Sequence, residues 1–495
     1  MPIMDEPTSL DPQIADSNSE KLVAANCYEG LVRIMADGTI GKGVATDWNI
    51  SDDGLTYTFK LRNNSHWAMF SGHKAVLGEN YEDTFDITVK AEDFKFGIER
   101  TLSEQTGSAD APLFSAVKSI STPDDFTIVF NLSYADDNFL YALTNPGAMP
   151  CDEEFFNLTN GKYGLDAKYL LCNGPFHVSK WTEKTSVKLV KNNKYNGESS
   201  VSPSSVTFYI NNDDSEVADK MNSVTYDVAF LSSSQFSSIE NKKDLNSVAV
   251  QNVTYSFIFN QNDNNYRNKN MRLAFCRSCD TSSLFDSQSD ISKADGIVPP
   301  SCKIGGEDYR NGNAAELLSY DETLAKKNFN DALLELGSSS VETTILCTEQ
   351  YEPFVKQMVQ KLQKTLGVKF VSTVKVVSES DLEAAVNDGN YSVAFYPFKA
   401  KSSFAGEIIE GFDKNNIFGY ESDVLSQKIR NIKNNSGSLE GERSAVADAE
   451  NYLVSEAVIM PVFYENSYFV TSKKTSGIYF YSSADNVCFI NAKKS

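Results

Sequence analysis

The chain has 495 residues, 41% of them hydrophobic and 12% aromatic, with 67 acidic against 45 basic side chains and a formal charge of −22. That apolar and aromatic content excludes wholesale disorder, and the length calls for two or three domains rather than one core. The acidic balance argues against nucleic acid as a partner, because phosphate binding needs clustered lysine and arginine. No apolar run in the sequence is long enough to span a bilayer. The chain opens Met1-Pro2-Ile3-Met4-Asp5, so a signal peptide is read as absent from it.

In chain order, Leu10-Asp11-Pro12 precede a helical pattern running from Asn18 into Tyr28, and Asp37-Gly38 marks a turn. The strongest local signal follows, from Trp48 to Arg62. Asp53-Gly54 at its centre predicts a two-residue type I′ turn, which needs positive φ at both positions. Pairing then runs Asp52–Leu55, Ile50–Tyr57 and Trp48–Phe59. Four large apolar side chains share one face, and Thr56, Thr58, Lys60 and Arg62 share the other. Residues 68–89 read as a solvated loop. His66, His73, Glu79, Glu82, Asp83 and Asp86 lie in or beside it, and a metal site there is the less favoured alternative. Ala91, Phe94 and Ile98 fall on one face of a helix, and Asp124 to Leu132 reads as a turn and an alternating strand.

Asn173 to Trp181 and Val187 to Tyr195 follow as strand-bearing stretches, then a strand from Tyr255 to Asn260 and a helix from Asn270. Beyond them the pattern alternates helix and strand. Pro353 sits near a helix start, Phe354 to Leu366 repeat at helical spacing, and Gly367 ends the helix before a strand at Val368 to Val371. Asp381 to Asp388 and Ala445 to Ala457 are further helices. Tyr391 to Phe395 is another strand, and Pro461 to Tyr464 closes the series.

Nothing in these residues points to catalysis. There is no Gly-x-Ser-x-Gly elbow and no phosphate-cradling glycine loop, and the chain has three histidines. Asp52-Asp53, Asp124-Asp125 and Asp213-Asp214 sit in turn contexts, which explain them better than acid–base work. Cys276-x-x-Cys279 lacks a second pair to complete a zinc site, so the eight cysteines are expected to include free buried thiols. No enzyme activity, metal or cofactor is expected.

Taken in order, these stretches resemble the signature blocks of the extracytoplasmic solute-binding proteins of the oligopeptide/dipeptide/nickel type (solute-binding protein family 5), the ligand receptors of ABC importers. The blocks are Leu10-Asp11-Pro12 with Tyr28-Glu29-Gly30-Leu31-Val32, the Trp48–Arg62 hairpin, Lys90 to Arg100, Asn173-Gly174-Pro175-Phe176, Asn192 to Tyr195, Gly296 to Pro300 and Pro461 to Tyr464. The likeness runs from Leu10 to about Phe489. It implies an α/β, two-lobed periplasmic-binding-protein-like fold of the large cluster C type, with an extra subdomain in the first lobe and a two-segment hinge. Lobe I would comprise 1–42, 166–256 and 464–495, the extra subdomain 43–165, and lobe II 257–463.

The resemblance further implies an extracytoplasmic receptor, either a cell-surface lipoprotein whose lipid anchor is absent from this chain or a periplasmic protein. It would act as a monomer, capture an extended small ligand (first of all an oligopeptide) in the cleft between the lobes, and pass it to the ABC transporter permease. A nickel chelate or oligosaccharide in the same fold is the alternative, and a secreted hydrolase a more distant one. One ligand-binding edge would come from Glu29, Gly30 and Leu31. The other would come from the strand after Tyr391, at Tyr396, Pro397, Phe398, Lys399 and Lys401.

At that second edge relatives carry an aspartate that neutralises the peptide's terminal ammonium and a tryptophan that lines the cleft. Here the run from Phe395 to Phe404 contains no acid, and Lys401 falls at the aspartate position. Reversing a charge 4 Å from an ammonium changes the interaction from attraction to repulsion of about 4 kcal/mol at an effective dielectric near 20. The expectation is an extended ligand whose free N-terminus is not anchored in the usual way, with Phe398 as the packing surface in place of the tryptophan. Pro397 removes one N–H from that edge.

Overall fold

The computed structural model describes all residues except 36–38, 137, 198–199, 282–290, 400–403, 415, 436–437 and 482–485, and the side chains of 82, 481 and 486. The Asp37-Gly38 turn, the Glu82 side chain and Lys401 therefore lie outside the described residues. The chain divides into two compact units, Met1–Ala249 with Tyr468–Ser495, and Val250–Ser467. The second unit extends a few residues beyond the expected 257–463 at both ends.

In the first unit, Ser17 starts helix α1 (Asn18–Cys27) with a capping box to Glu20, which satisfies two otherwise orphaned amides. The chain then extends through Tyr28 into a short hairpin, β1 (Val32–Ile34) against β2 (Ile40–Lys42). Next come β3 (Ala45–Ile50) and β4 (Thr56–Leu61), the strands of the expected hairpin, with Ile50 opposite Tyr57 and Trp48 opposite Phe59 as the sequence predicts. The turn itself differs. Gly54 has φ of 68°, and Asp53 does not share a positive φ. The Gly54 N–H donates to Ser51 O, and the Ser51 N–H to Thr56 O. The Asp53 carboxylate accepts from the Ser51 hydroxyl and the Leu55 N–H. This wider reversal closes the same residue pairs as the two-residue turn would, so the register is kept.

Helix α2 (Ala91–Leu102) buries Ala91, Phe94 and Ile98, as its spacing predicts. Strands β5 (Val117–Asp124) and β6 (Thr127–Leu132) complete a four-stranded sheet in the order β3-β4-β6-β5. Because β3 is an edge, Ile50 is 39% exposed while Tyr57 and Phe59 are buried. Strands β7 (Phe176–Thr182), β8 (Ser186–Lys191) and β9 (Ser205–Ile210) form a second sheet, in which Pro2–Ile3 add to β9.

The 68–89 stretch is not a solvated loop. Short helices at Lys74–Leu77 and Tyr81–Thr84 carry Tyr81 into the core, and His73 is fully buried. The His73 ring packs on Phe70 (4.4 Å between centroids) and Phe155 (5.5 Å), and its Nε2 lies 3.1 Å from Leu170 O. Among the described residues no cluster of histidine, cysteine and acidic groups is arranged to hold a metal ion.

The second unit begins and ends inside two strands, β10 (Leu245–Phe259) and β14 (Ile459–Ser472). Between them run α3 (Lys269–Ser278), α4 (Glu322–Leu336), β11 (Val341–Thr348), α5 (Glu352–Leu366), β12 (Phe370–Val377), β13 (Val393–Lys399) and α6 (Leu439–Ser455). The strand order is β14-β10-β13-β11-β12, with β11 and β12 parallel over eight residue pairs joined through α5. Pro353 lies in the first turn of α5, and Gly367 follows it with φ of 78°. One sheet face packs on α3, α4 and α5 through Phe257, Phe275, Phe329 and Val355. The other packs on α6 through Ile258, Val446 and Leu453, which makes the unit a three-layer α/β body. Cys276 and Cys279 are free thiols buried in the first of these cores.

Burial pushes the His73 pKa down from 6.5 to about 4. Between those values the unfolded chain binds a proton that the native imidazole refuses. The stabilisation is therefore complete above pH 6.5 and lost as the pH falls toward 4, with a ceiling of about 3 kcal/mol. Urea unfolding from pH 7 to 4.5 should show a steeper loss for the wild type than for H73Q.

Candidate functional site

The site in the first unit is assembled around Glu29, where α1 has ended and the chain is extended. Glu29 is 5% exposed. Its N–H donates to Asn173 Oδ1 (3.0 Å), and Asn173 Nδ2 donates back to its carbonyl (2.8 Å), so one side chain satisfies both main-chain polar groups of the residue. One carboxylate oxygen accepts from the Tyr195 hydroxyl at 2.9 Å, and the other pairs with the Arg62 guanidinium at the end of β4. Arg62 also donates to Gly43 O. Burial and the adjacent Glu29 charge hold the Tyr195 hydroxyl well above its usual pKa.

The next two residues are fixed by their carbonyls. Val44 N–H donates to Gly30 O (2.8 Å), while Gly43 N–H (3.1 Å) and Ala45 N–H (3.0 Å) donate to Leu31 O. A Cβ on Gly43 would lie 2.3 Å from Gly30 O, so this crossing of two backbones requires glycine. Leu31 is fully buried. Of the three expected ligand residues in this segment, Glu29 and Gly30 line a cavity of about 330 Å³, and Leu31 packs behind it.

The cavity also meets β1 at Val32, Arg33 and Ile34. This strand pairs with β2 on one side, and among the described residues no strand covers its other edge. Residues from the far end of the chain close the cavity. They include Tyr479 from β15 (Tyr479–Tyr481) and Cys488 from β16 (Asn486–Cys488), followed by Ile490 and Asn491. Cys488 is half-buried, unlike the other seven cysteines, which are buried. Burial raises its pKa.

In the second unit, Tyr396, Pro397, Phe398 and Lys399 occupy the outer half of β13. That strand pairs with β10 along its whole length, from Phe259–Val393 to Val253–Lys399. Its parallel partner β11 reaches only Val393 and Ala394. From Phe395 onward the second edge has no partner strand among the described residues, and Pro397, which has no N–H, is accommodated there. Phe398 is half-buried and stacks on Phe412 (5.9 Å) and Phe418 (5.8 Å), with Tyr396 edge-on at 5.6 Å. Pro397 lies opposite Tyr255 on the other face, and Lys399 is exposed. The two groups of expected residues fall in different units.

The sequence model described as "Bacterial extracellular solute-binding proteins, family 5 Middle" matches residues 39–418. The chain belongs to this family. It is 24% identical over 496 residues to the dipeptide-binding protein DppE of Bacillus subtilis, an alignment covering 96% of this chain and 88% of that one. The same fold is seen in a dipeptide-binding protein from Pseudoalteromonas sp. SM9913 in complex with Met-Leu (TM-score 0.80, 18% identity, 100% and 99% of the two chains). It is also seen in Listeria monocytogenes OppA bound to peptide (TM-score 0.77, 21% identity, 100% and 98%).

For a family 5 protein, the residues that sequence reasoning missed stand inside the very blocks that carried the resemblance. Arg62 ends the hairpin, Asn173 precedes Gly174-Pro175, and Tyr195 ends the Asn192 block. The signal was present as sequence but not as a contact. Met149 likewise stands in a stretch, Asn138 to Pro150, that resembles a family segment, whereas Arg33 and the 479–491 segment had no signal of that kind.

Among the described residues no helix is long and apolar enough to cross a membrane. Removing Arg62 would leave the Glu29 carboxylate buried without its cation, a loss of about 3–5 kcal/mol for a pair of this kind. Urea unfolding of R62A should show it, and R62Q combined with E29Q should cost less than R62A alone.

Proposed function

We propose that the chain is the extracytoplasmic substrate-binding component of an ABC importer and that its ligand is a small extended molecule, an oligopeptide before others. The observation that carries this reading is the uncovered edge of β1 beside a largely apolar cavity. An extended peptide can satisfy its own N–H and C=O groups on such an edge and place alternate side chains in pockets. The uncovered outer half of β13 offers a similar edge in the second unit. Family membership and the peptide-binding names of the relatives support the same ligand class.

The protein delivers its ligand unchanged to a permease, acts as a monomer, and is held at the cell surface by a lipid or moves in the periplasm. At Tyr396 to Lys399 no acid is present to hold an ammonium, so a free N-terminus is not anchored by that strand.

Native mass spectrometry of the purified protein, followed by calorimetry with any peptide released from it, tests the reading. One-to-one peptide binding without cleavage is expected, and conversion of the peptide to products would overturn it. N-acetylation of a bound peptide should weaken binding by less than about tenfold, the equivalent of 1.4 kcal/mol. A larger loss would show that an ammonium is anchored after all.

A further inference from the structure

The cavity against β1 has a chemistry that sets which side chain it takes. Its walls include Tyr28, Val32, Ile34, Met35, Met149 and Ile490 beside the polar Thr144 and Asn491, so more of what a guest would touch is hydrocarbon, thioether or aromatic ring than polar. Its volume is about 330 Å³. An apolar cavity of roughly 150 Å³ already admits benzene, so this one holds an aromatic side chain with room for a hydroxyl or a second ring. The two methionines can follow the shape of such a ring and favour contact with its edge.

The charges at the wall point the same way. Glu29 is the carboxylate among the lining residues, and both of its oxygens are already engaged, by Arg62 and Tyr195. Arg33 is the cation among them. It shares the wall with Tyr195 and Cys488. A lysine or arginine side chain entering here would leave water and find the carboxylate taken.

Resting on the peptide-receptor reading above, we infer that this cavity selects one large, uncharged aromatic side chain of the ligand and rejects lysine and arginine. Ala25 on α1 lines the cavity and is not fully buried, so a larger side chain there projects into the space and not into the core. Cys488, half-buried in the same wall, reports occupancy through its rate of alkylation, read by peptide mapping so that the buried thiols do not interfere.

The experiment compares N-acetyl-phenylalaninamide, N-acetyl-lysinamide and N-acetyl-aspartic acid amide as protectants of Cys488 in the full chain. The phenylalanine probe should protect best, and A25L should abolish its protection, with A25V intermediate if A25L fails to fold. In peptides that differ at one position, phenylalanine should bind roughly ten- to a hundredfold more tightly than alanine, as expected for burying a large apolar side chain. Equal protection by the lysine probe, best protection by the aspartate probe, or no effect of either Ala25 variant would overturn the inference. Peptide binding without any such discrimination sinks the cavity assignment and leaves the receptor reading standing. Protection by the phenylalanine probe with no binding of longer peptides does the reverse.

Discussion

A buried carboxylate is tolerated only where its charge is compensated and its lone pairs are used. Glu29 meets that condition through two side chains brought from distant parts of the chain, Arg62 at the end of β4 and Tyr195 from beyond β8, while Asn173, from the stretch before β7, holds its main-chain N–H and C=O. Each link spans a large sequence separation, so the pairs form only when the first unit has condensed around them. What they fix is the path of the backbone. With its amide and carbonyl both held by Asn173, Glu29 cannot rotate, and Gly30 and Leu31 are then pinned by Gly43, Val44 and Ala45. The direction of β1 and the placement of the cavity wall follow from that chain of constraints.

The second unit achieves an open edge by a different route. Among the described residues, strand β13 is a central strand at its start, between β10 and β11, and an edge strand at its end, because its pairing with β11 stops after Leu346. The sequence of β13 changes at the same point. Val393 and Ala394 are small or branched and buried, whereas Tyr396, Pro397 and Phe398 are half-buried, and Pro397, without an N–H, is a residue that a fully paired strand would accommodate poorly. The parallel stacking of Phe412 and Phe418, 4.5 Å apart, gives Phe398 a flat surface to lie on. Its ring therefore belongs as much to the core beneath as to any ligand surface.

The elements were legible where local and global preferences agree. The hairpin register at Trp48–Phe59, the helix from Pro353 to Gly367 and the strand at Val393 all follow from periodicity and punctuation. The turn at Asp53-Gly54 was misread because an aspartate can accept hydrogen bonds from its own loop, which competes with the type I′ geometry. The fold of residues 68–89 was missed for another reason. Its burial depends on His73 meeting Phe155 and Leu170, contacts that no window of sequence contains. Glu29 illustrates the limit at the site. The resemblance marked it as ligand-binding, yet only coordinates reveal that its own peptide groups are spoken for.

A strand edge with no partner strand among the described residues is also a template for a second copy of the same molecule, since bare amides and carbonyls do not distinguish a guest from a neighbour. In β1 two features blunt that hazard: the strand is three residues long, and its middle residue is the charged Arg33. Brevity limits how many rungs a wrong partner could add, and a charged side chain at the centre of the strand is a feature by which edges are blunted. The feature that would welcome a guest is thus kept too short and too charged to seed aggregation.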